Sequence, residues 1–186
     1  MVSELESYQD QLLAITQDVP GLIGRLSDRQ FNWRPAPNRW SMAECFDHLN
    51  RAAALFVPTI EATIADARRR KLEAPGPFTH GLFERFFARA NEPPPRFRAR
   101  APRKLAPAPN HSATTVLDAF MDWQKKIGGC ISRADGIDLV QAKAKSPILP
   151  LFTWSLGAMF AIMLAHERRH IWQAREVRNT AGFPPS

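Results

Sequence analysis

Residues 154–178 read WSLGAMFAIMLAHERRHIWQAREVR, and this stretch decides the fold. Leu156, Met159 and Met163, then Ala174 and Val177 beyond the histidines, recur at helical spacing. His166 and His170 fall on the same inward stripe. Residues four apart on a helix stand one above the other, so these two imidazoles can share one metal ion. The string His166-Glu167-Arg168-Arg169-His170 also matches H-E-x-x-H, in which the glutamate is a protease's general base. Glu167 stands about 100° round the helix from His166. It is followed by two long cations, Arg168 and Arg169. The reading here therefore places Glu167, Arg168 and Arg169 on the outer, solvated or interfacial face. A histidine pair at this spacing can equally be a core or surface pair with no ligand.

The remaining chain is organised as helices. At 186 residues, 45% apolar and 23% charged, it suits one domain, 1–186, with a sizeable core. Leu5, Tyr8, Leu12, Ile15, Val19, Leu22 and Leu26 make a stripe over a first helix, 3–27, that Pro20 and Gly21 interrupt. Residues 27–39 connect, with Phe31 and Trp33 as apolar anchors. Ser41 and Glu44 form a capping box, from which a second helix runs to about Arg70 through Pro58. Cys45, Leu49, Ala52, Phe56 and Ile60 face inward, with His48 beside them. A third long helix spans residues from Ser112 or Thr114 to Arg133 on Val116, Leu117, Phe120, Trp123, Ile127 and Ile131. Residues 135–151 read as a connector without a strand. The last helix then takes its N-cap from Thr153 or Ser155.

Residues 71–112 differ in composition: half of the sixteen prolines lie between Pro75 and Pro109. A short helix within 78–90 carries Leu82, Phe83, Phe86 and Phe87, before Pro93-Pro94-Pro95. The rest reads as a long irregular crossover in which His80 and His111 are surface residues. Exposed, Phe83, Phe86 and Phe87 are a means of forming a homodimer.

Charge and cysteine count narrow the function classes. Net charge is +7, concentrated at 84–104, where seven Arg or Lys face two Glu. Such a patch can attract nucleic acid, an anionic membrane or acidic substrates. No nucleic-acid motif accompanies it, so nucleic acid is not the expected partner. Cys45 and Cys130 are far apart and form no C-x-x-C pair, which points to a reducing, cytoplasmic compartment. The N-terminus, Met1-Val2-Ser3-Glu4-Leu5-Glu6-Ser7, has no basic region followed by an apolar one, and no signal peptide is expected. Residues 146–165 carry no charge, but Pro147 and Pro150 leave about twelve helical residues, too few to span a bilayer. No membrane association is expected.

Asn32-Trp33-Arg34-Pro35, Trp40-Ser41-Met42-Ala43-Glu44, Asp47-His48-Leu49 and His166-Glu167-Arg168-Arg169-His170-Ile171, in this order, resemble the DinB/YfiT-like superfamily. The resemblance covers nearly the whole chain apart from 71–112, which looks like an expanded connection between helices two and three. It implies an all-α, up-down-down-up four-helix bundle. It also implies a divalent metal held by His48, His166 and His170. Three imidazoles leave a coordination position open, as catalytic sites do. Zinc, nickel or iron suits nitrogen ligands, and so does copper. Members with known activity include thiol S-transferases using bacillithiol or mycothiol and a mycothiol-dependent maleylpyruvate isomerase. The implied function is thus S-transfer or hydrolysis on a small molecule, with a low-molecular-weight thiol as possible cofactor. The alternative is a non-catalytic metal- or ligand-binding protein related to stress. Glu44 and Asp47 are the carboxylates expected to support the metal-bound histidines. The arginines of 96–103 are expected to draw an anionic thiol or substrate to the site.

Overall fold

The computed structural model describes residues 2–95 and 100–185. They are mostly helical: α1 (Ser3–Ile23), α2 (Asp28–Phe31), α3 (Met42–Arg69), α4 (Leu82–Ala90), α5 (Ala113–Arg133) and α6 (Leu156–Arg178). One short 3₁₀ turn, Arg103–Leu105, lies in the crossover between α4 and α5.

Local signals account for the helix ends. Ser41 Oγ accepts from the Glu44 amide at 3.1 Å, and Glu44 Oε2 accepts from the Ser41 amide at 2.9 Å, closing the capping box of α3. Arg34 Nε holds the same carboxylate at 2.7 Å, which ties the connector to the helix start. Ser27 and Gln30 make a second box that turns the connector into the one-turn α2. Ser155 caps α6 by accepting from the Ala158 amide at 3.3 Å. α3 continues through Pro58 and α1 through Pro20.

α1 and α3 each pack against both α5 and α6, and α4 lies on α6. The stripe expected for α1 is buried from Leu5 to Leu22. Phe46 sits between Phe31, at 6.4 Å, and Phe120, edge-on at 5.4 Å. Aromatic pairs of this kind add about 0.5–1.5 kcal/mol beyond their burial. These residues belong to one continuous core that also takes in Phe160, Ile171 and Val177 of α6.

Two expectations are corrected. The segment between α5 and α6 does contain a strand: β1 (Lys143–Lys145) pairs antiparallel with β2 (Thr153–Ser155), with Ala144 opposite Trp154. α6 begins at Leu156, with Ser155, one of the two residues expected to cap it, as its N-cap. Three-residue strands have no readable period, and their pairing depends on a partner ten residues away. His80 is also no surface residue. It sits between Glu4, at 2.6 Å from its Nε2, and Ser155 Oγ, at 3.2 Å from its Nδ1. Gly157 leaves room for its ring, since a Cβ there would lie 2.3 Å from His80 Cε1. No helix among the described residues is long and apolar enough to cross a membrane.

Candidate metal centre

His48 comes from the second turn of α3, and His166 and His170 from the middle of α6. α3 and α6 are packed neighbours, so all three rings meet in one place. Ring centroids are 5.0 Å apart for His48–His166, 4.5 Å for His48–His170 and 4.6 Å for His166–His170. One nitrogen from each ring lies within 4.8 Å of the others. His48 and His170 are buried and His166 is half-buried.

Hydrogen bonds determine which nitrogens are available. His48 Nδ1 lies 2.7 Å from the Leu105 carbonyl oxygen, which can only accept, so Nδ1 carries the proton and Nε2 is bare. His170 Nδ1 is held by Gln173 Oε1 at 3.1 Å, and its Nε2 is likewise free to ligate. His48 Nε2 faces His166 Nε2 at 3.0 Å. Two zinc–nitrogen bonds of about 2.0–2.1 Å at a tetrahedral angle put their nitrogens roughly 3.3 Å apart, so a single ion fits between these atoms with a small adjustment. Burial lowers the pKa of all three histidines. For His166 and His170 the neighbouring imidazoles and Arg169 add to the effect. The rings are therefore neutral at pH 7, the form that binds metals.

The groups that orient the three rings are not the carboxylates the sequence points to. Glu44 is occupied by the Ser41 amide and Arg34. Asp47 accepts from Arg51 Nε at 2.7 Å and from the Ala108 amide at 2.9 Å. Neither is the acceptor at one of these rings: the Leu105 carbonyl serves His48 and Gln173 serves His170. A backbone carbonyl leaves no mark in a sequence. Gln173 was legible, because it stands three residues from His170 on the same helical face. Trp40 is the third missed element. It packs on His48, with ring centroids 5.0 Å apart, and stacks on His170 at 5.6 Å.

Glu167 is corrected as well. It is 3% exposed, and its Oε1 accepts from Gln124 Nε2 of α5 at 3.0 Å. Burial raises its carboxyl pKa to about 7, against the lowering effects of Gln124 and Arg168. Its carboxylate is thus engaged with α5 inside the protein, not with solvent. Arg168 does face outward, to Glu92 and Gln11. Arg169 Nη1 reaches the Ala90 carbonyl at the end of α4 at 3.2 Å. Of the arginines expected to attract an anion, Arg96 and Arg98 lie outside the described residues. Arg100 and Arg103 are exposed, Arg103 two residues before Leu105. His111 stands apart from the three clustered histidines, bonded to the Ala108 carbonyl at 2.7 Å and 3.6 Å from Asp47.

Searches of curated proteins and of solved structures each found no significant match. A family model does match, over residues 11–174, a range that contains all three histidines, the capping box and most of α6. The chain therefore belongs to the DinB superfamily.

Proposed function

We propose that the chain is a divalent-metal-dependent enzyme that activates a thiol or water for S-transfer or hydrolysis on a small molecule. The observation that carries this reading is the convergence of three neutral imidazoles from two helices, with the second nitrogens of His48 and His170 tied back by Leu105 and Gln173. His48, His166 and His170 would hold the ion through Nε2. When bound, such an ion acts as a Lewis acid that lowers the pKa of a thiol or water in its open position. The chain's own residues preorganise the ligands: Leu105 sets the His48 tautomer, Gln173 that of His170, and Trp40 keeps solvent from one side of both rings. Zinc, nickel and iron all suit this donor set. A low-molecular-weight thiol is the proposed co-substrate.

The finer architecture belongs to the same proposal. Packing of α1 and α3 against both α5 and α6 supports an up-down-down-up four-helix bundle in one domain spanning 1–186. We propose a cytoplasmic site of action, since both cysteines are free and buried.

The test is the metal content of untagged protein by elemental mass spectrometry, with His48→Ala and His166→Ala alongside. One metal per chain that both variants lose is the expected result. Substrate screens of the loaded protein for thiol transfer and hydrolysis then follow. A folded protein that takes up neither zinc nor nickel would overturn the proposal.

A further inference from the structure

Among the described residues, nothing covers the apolar face formed by α4 and the loop between β1 and β2. α4 has no buried residue. Leu82, Phe83 and Phe86 are 82%, 52% and 67% exposed, and Leu151, in the β1–β2 loop, is 98% exposed. Phe152 and Leu149 add to the same loop. Phe83 joins the two parts. Its ring lies 5.6 Å from Phe152 and 5.6 Å from Trp154, nearly parallel to both. Phe87 packs on Trp154 at 4.9 Å and Trp154 is buried, so the projecting residues stand on a packed base.

The surroundings of this face are cationic. Arg85 and Arg89 are exposed on α4, and Lys143 and Lys145 are exposed on β1. Ala144 is the register partner of Trp154, so Lys143 and Lys145 leave the ribbon on the side away from the aromatic cluster. None of these four makes an ion pair among the described residues. The nearby acids are already engaged. Glu84 accepts from the Ser155 amide at 2.7 Å and the Gly81 amide at 3.2 Å. Glu92 is paired with Arg168.

From this arrangement we propose that the face of α4 and the β1–β2 loop docks onto an anionic lipid bilayer. Leu82, Phe86 and Leu151 would enter the acyl boundary, while Arg85 and Arg89 meet the headgroups. An amphipathic helix with aromatic and aliphatic residues on one face and arginines beside them binds membranes in this way, lying on the surface without spanning it. Charge decides against a second copy of the chain. A two-fold contact sets the same patch on itself, and this rim would bring cation against cation. An anionic surface satisfies both the apolar and the cationic groups.

The test uses the full chain and sedimentation with vesicles of phosphatidylcholine alone or of equal parts phosphatidylcholine and phosphatidylglycerol. The protein is expected to pellet with the anionic vesicles only, and salt should weaken the binding. Leu82→Ser, Phe86→Ser and Leu151→Ser combined replace exposed side chains, so melting should be unchanged while binding falls by more than about tenfold. Arg85→Glu with Arg89→Glu should cause a similar loss. Phe83 is kept because it packs on Trp154. No pelleting with anionic vesicles, or pelleting that the triple variant retains, overturns the proposal. Analytical ultracentrifugation of the same samples covers the other occupant. A dimer that the triple variant returns to monomer, without vesicle binding, assigns the face to a second copy and likewise overturns it.

Discussion

The carbonyl of Leu105 holds the Nδ1–H of His48 at 2.7 Å, across fifty-seven residues of chain. Leu105 is itself 3% exposed, so its side chain anchors the carbonyl. Leu105→Ala should cost about 2–3 kcal/mol of stability through the cavity it leaves. It should also weaken metal binding by roughly 10–100-fold, the usual effect of disturbing a group behind a ligand. Competition with a chelator measures the second quantity. Unaltered metal affinity in a destabilised variant would show that Leu105 does not orient His48.

Trp40 lies against two of the three proposed ligands. Its fluorescence should be quenched when nickel or copper is titrated in, and Trp40→Phe should remove most of that change. Trp40→Ala should cost about 2 kcal/mol, below the range for a fully buried aromatic because the side chain is half-buried. Quenching that survives Trp40→Phe would place the metal elsewhere.

Glu167 gives a pH dependence with a definite sign. Its folded pKa of about 7 lies above the ordinary 4.5. The folded protein therefore holds this proton more tightly than the unfolded chain. The resulting stability is present below 4.5 and is lost as pH rises through about 7. Glu167→Gln removes that loss and should stabilise the protein in mildly alkaline buffer, by at most about 3 kcal/mol. Urea unfolding on either side of neutrality tests this. The variant should also keep its metal, since Glu167 faces Gln124. Collapse of activity with intact metal and fold would instead restore the glutamate-as-base reading.

His80 and Glu4 form a second titrating unit away from the histidine cluster. The Glu4 hydrogen bond raises the His80 pKa, outweighing burial. For Glu4, burial pushes upward, but the His80 and Tyr8 hydrogen bonds win and the pKa is lowered. His80 thus adds stability that is full below its ordinary 6.5 and disappears as pH rises through its raised folded value. Glu4 adds stability that is full above 4.5 and disappears as pH falls through its lowered folded value. Melting temperature should therefore be highest for this pair between those limits, and His80→Gln should flatten the alkaline side. Gly157→Ala should do the same at a cost of about 1–3 kcal/mol, because the added methyl displaces the ring. An alkaline slope unchanged in both variants would sink the assignment.

The four long helices were legible in the sequence because helix formation is read locally, from apolar residues recurring at three and four and from caps such as Ser41 with Glu44. The spacing of His166 and His170 was legible for the same reason. Which groups meet across the chain was not. The placement of Glu167 on an outer face failed because one-residue angles on a helix do not say where a neighbouring helix sits. α5 brings Gln124 to that side and buries it. The β1–β2 pair was missed because three residues carry too little pattern. The sequence by itself determined the helices, the residue types able to bind a metal and their positions along each helix, since these follow from short-range geometry. Tertiary structure alone decided that Leu105 sets the His48 tautomer and that Trp40 covers the rings, while the meeting of His48 with His166 was implied only through the family resemblance. Those relationships depend on packing between distant segments, which no local spacing encodes.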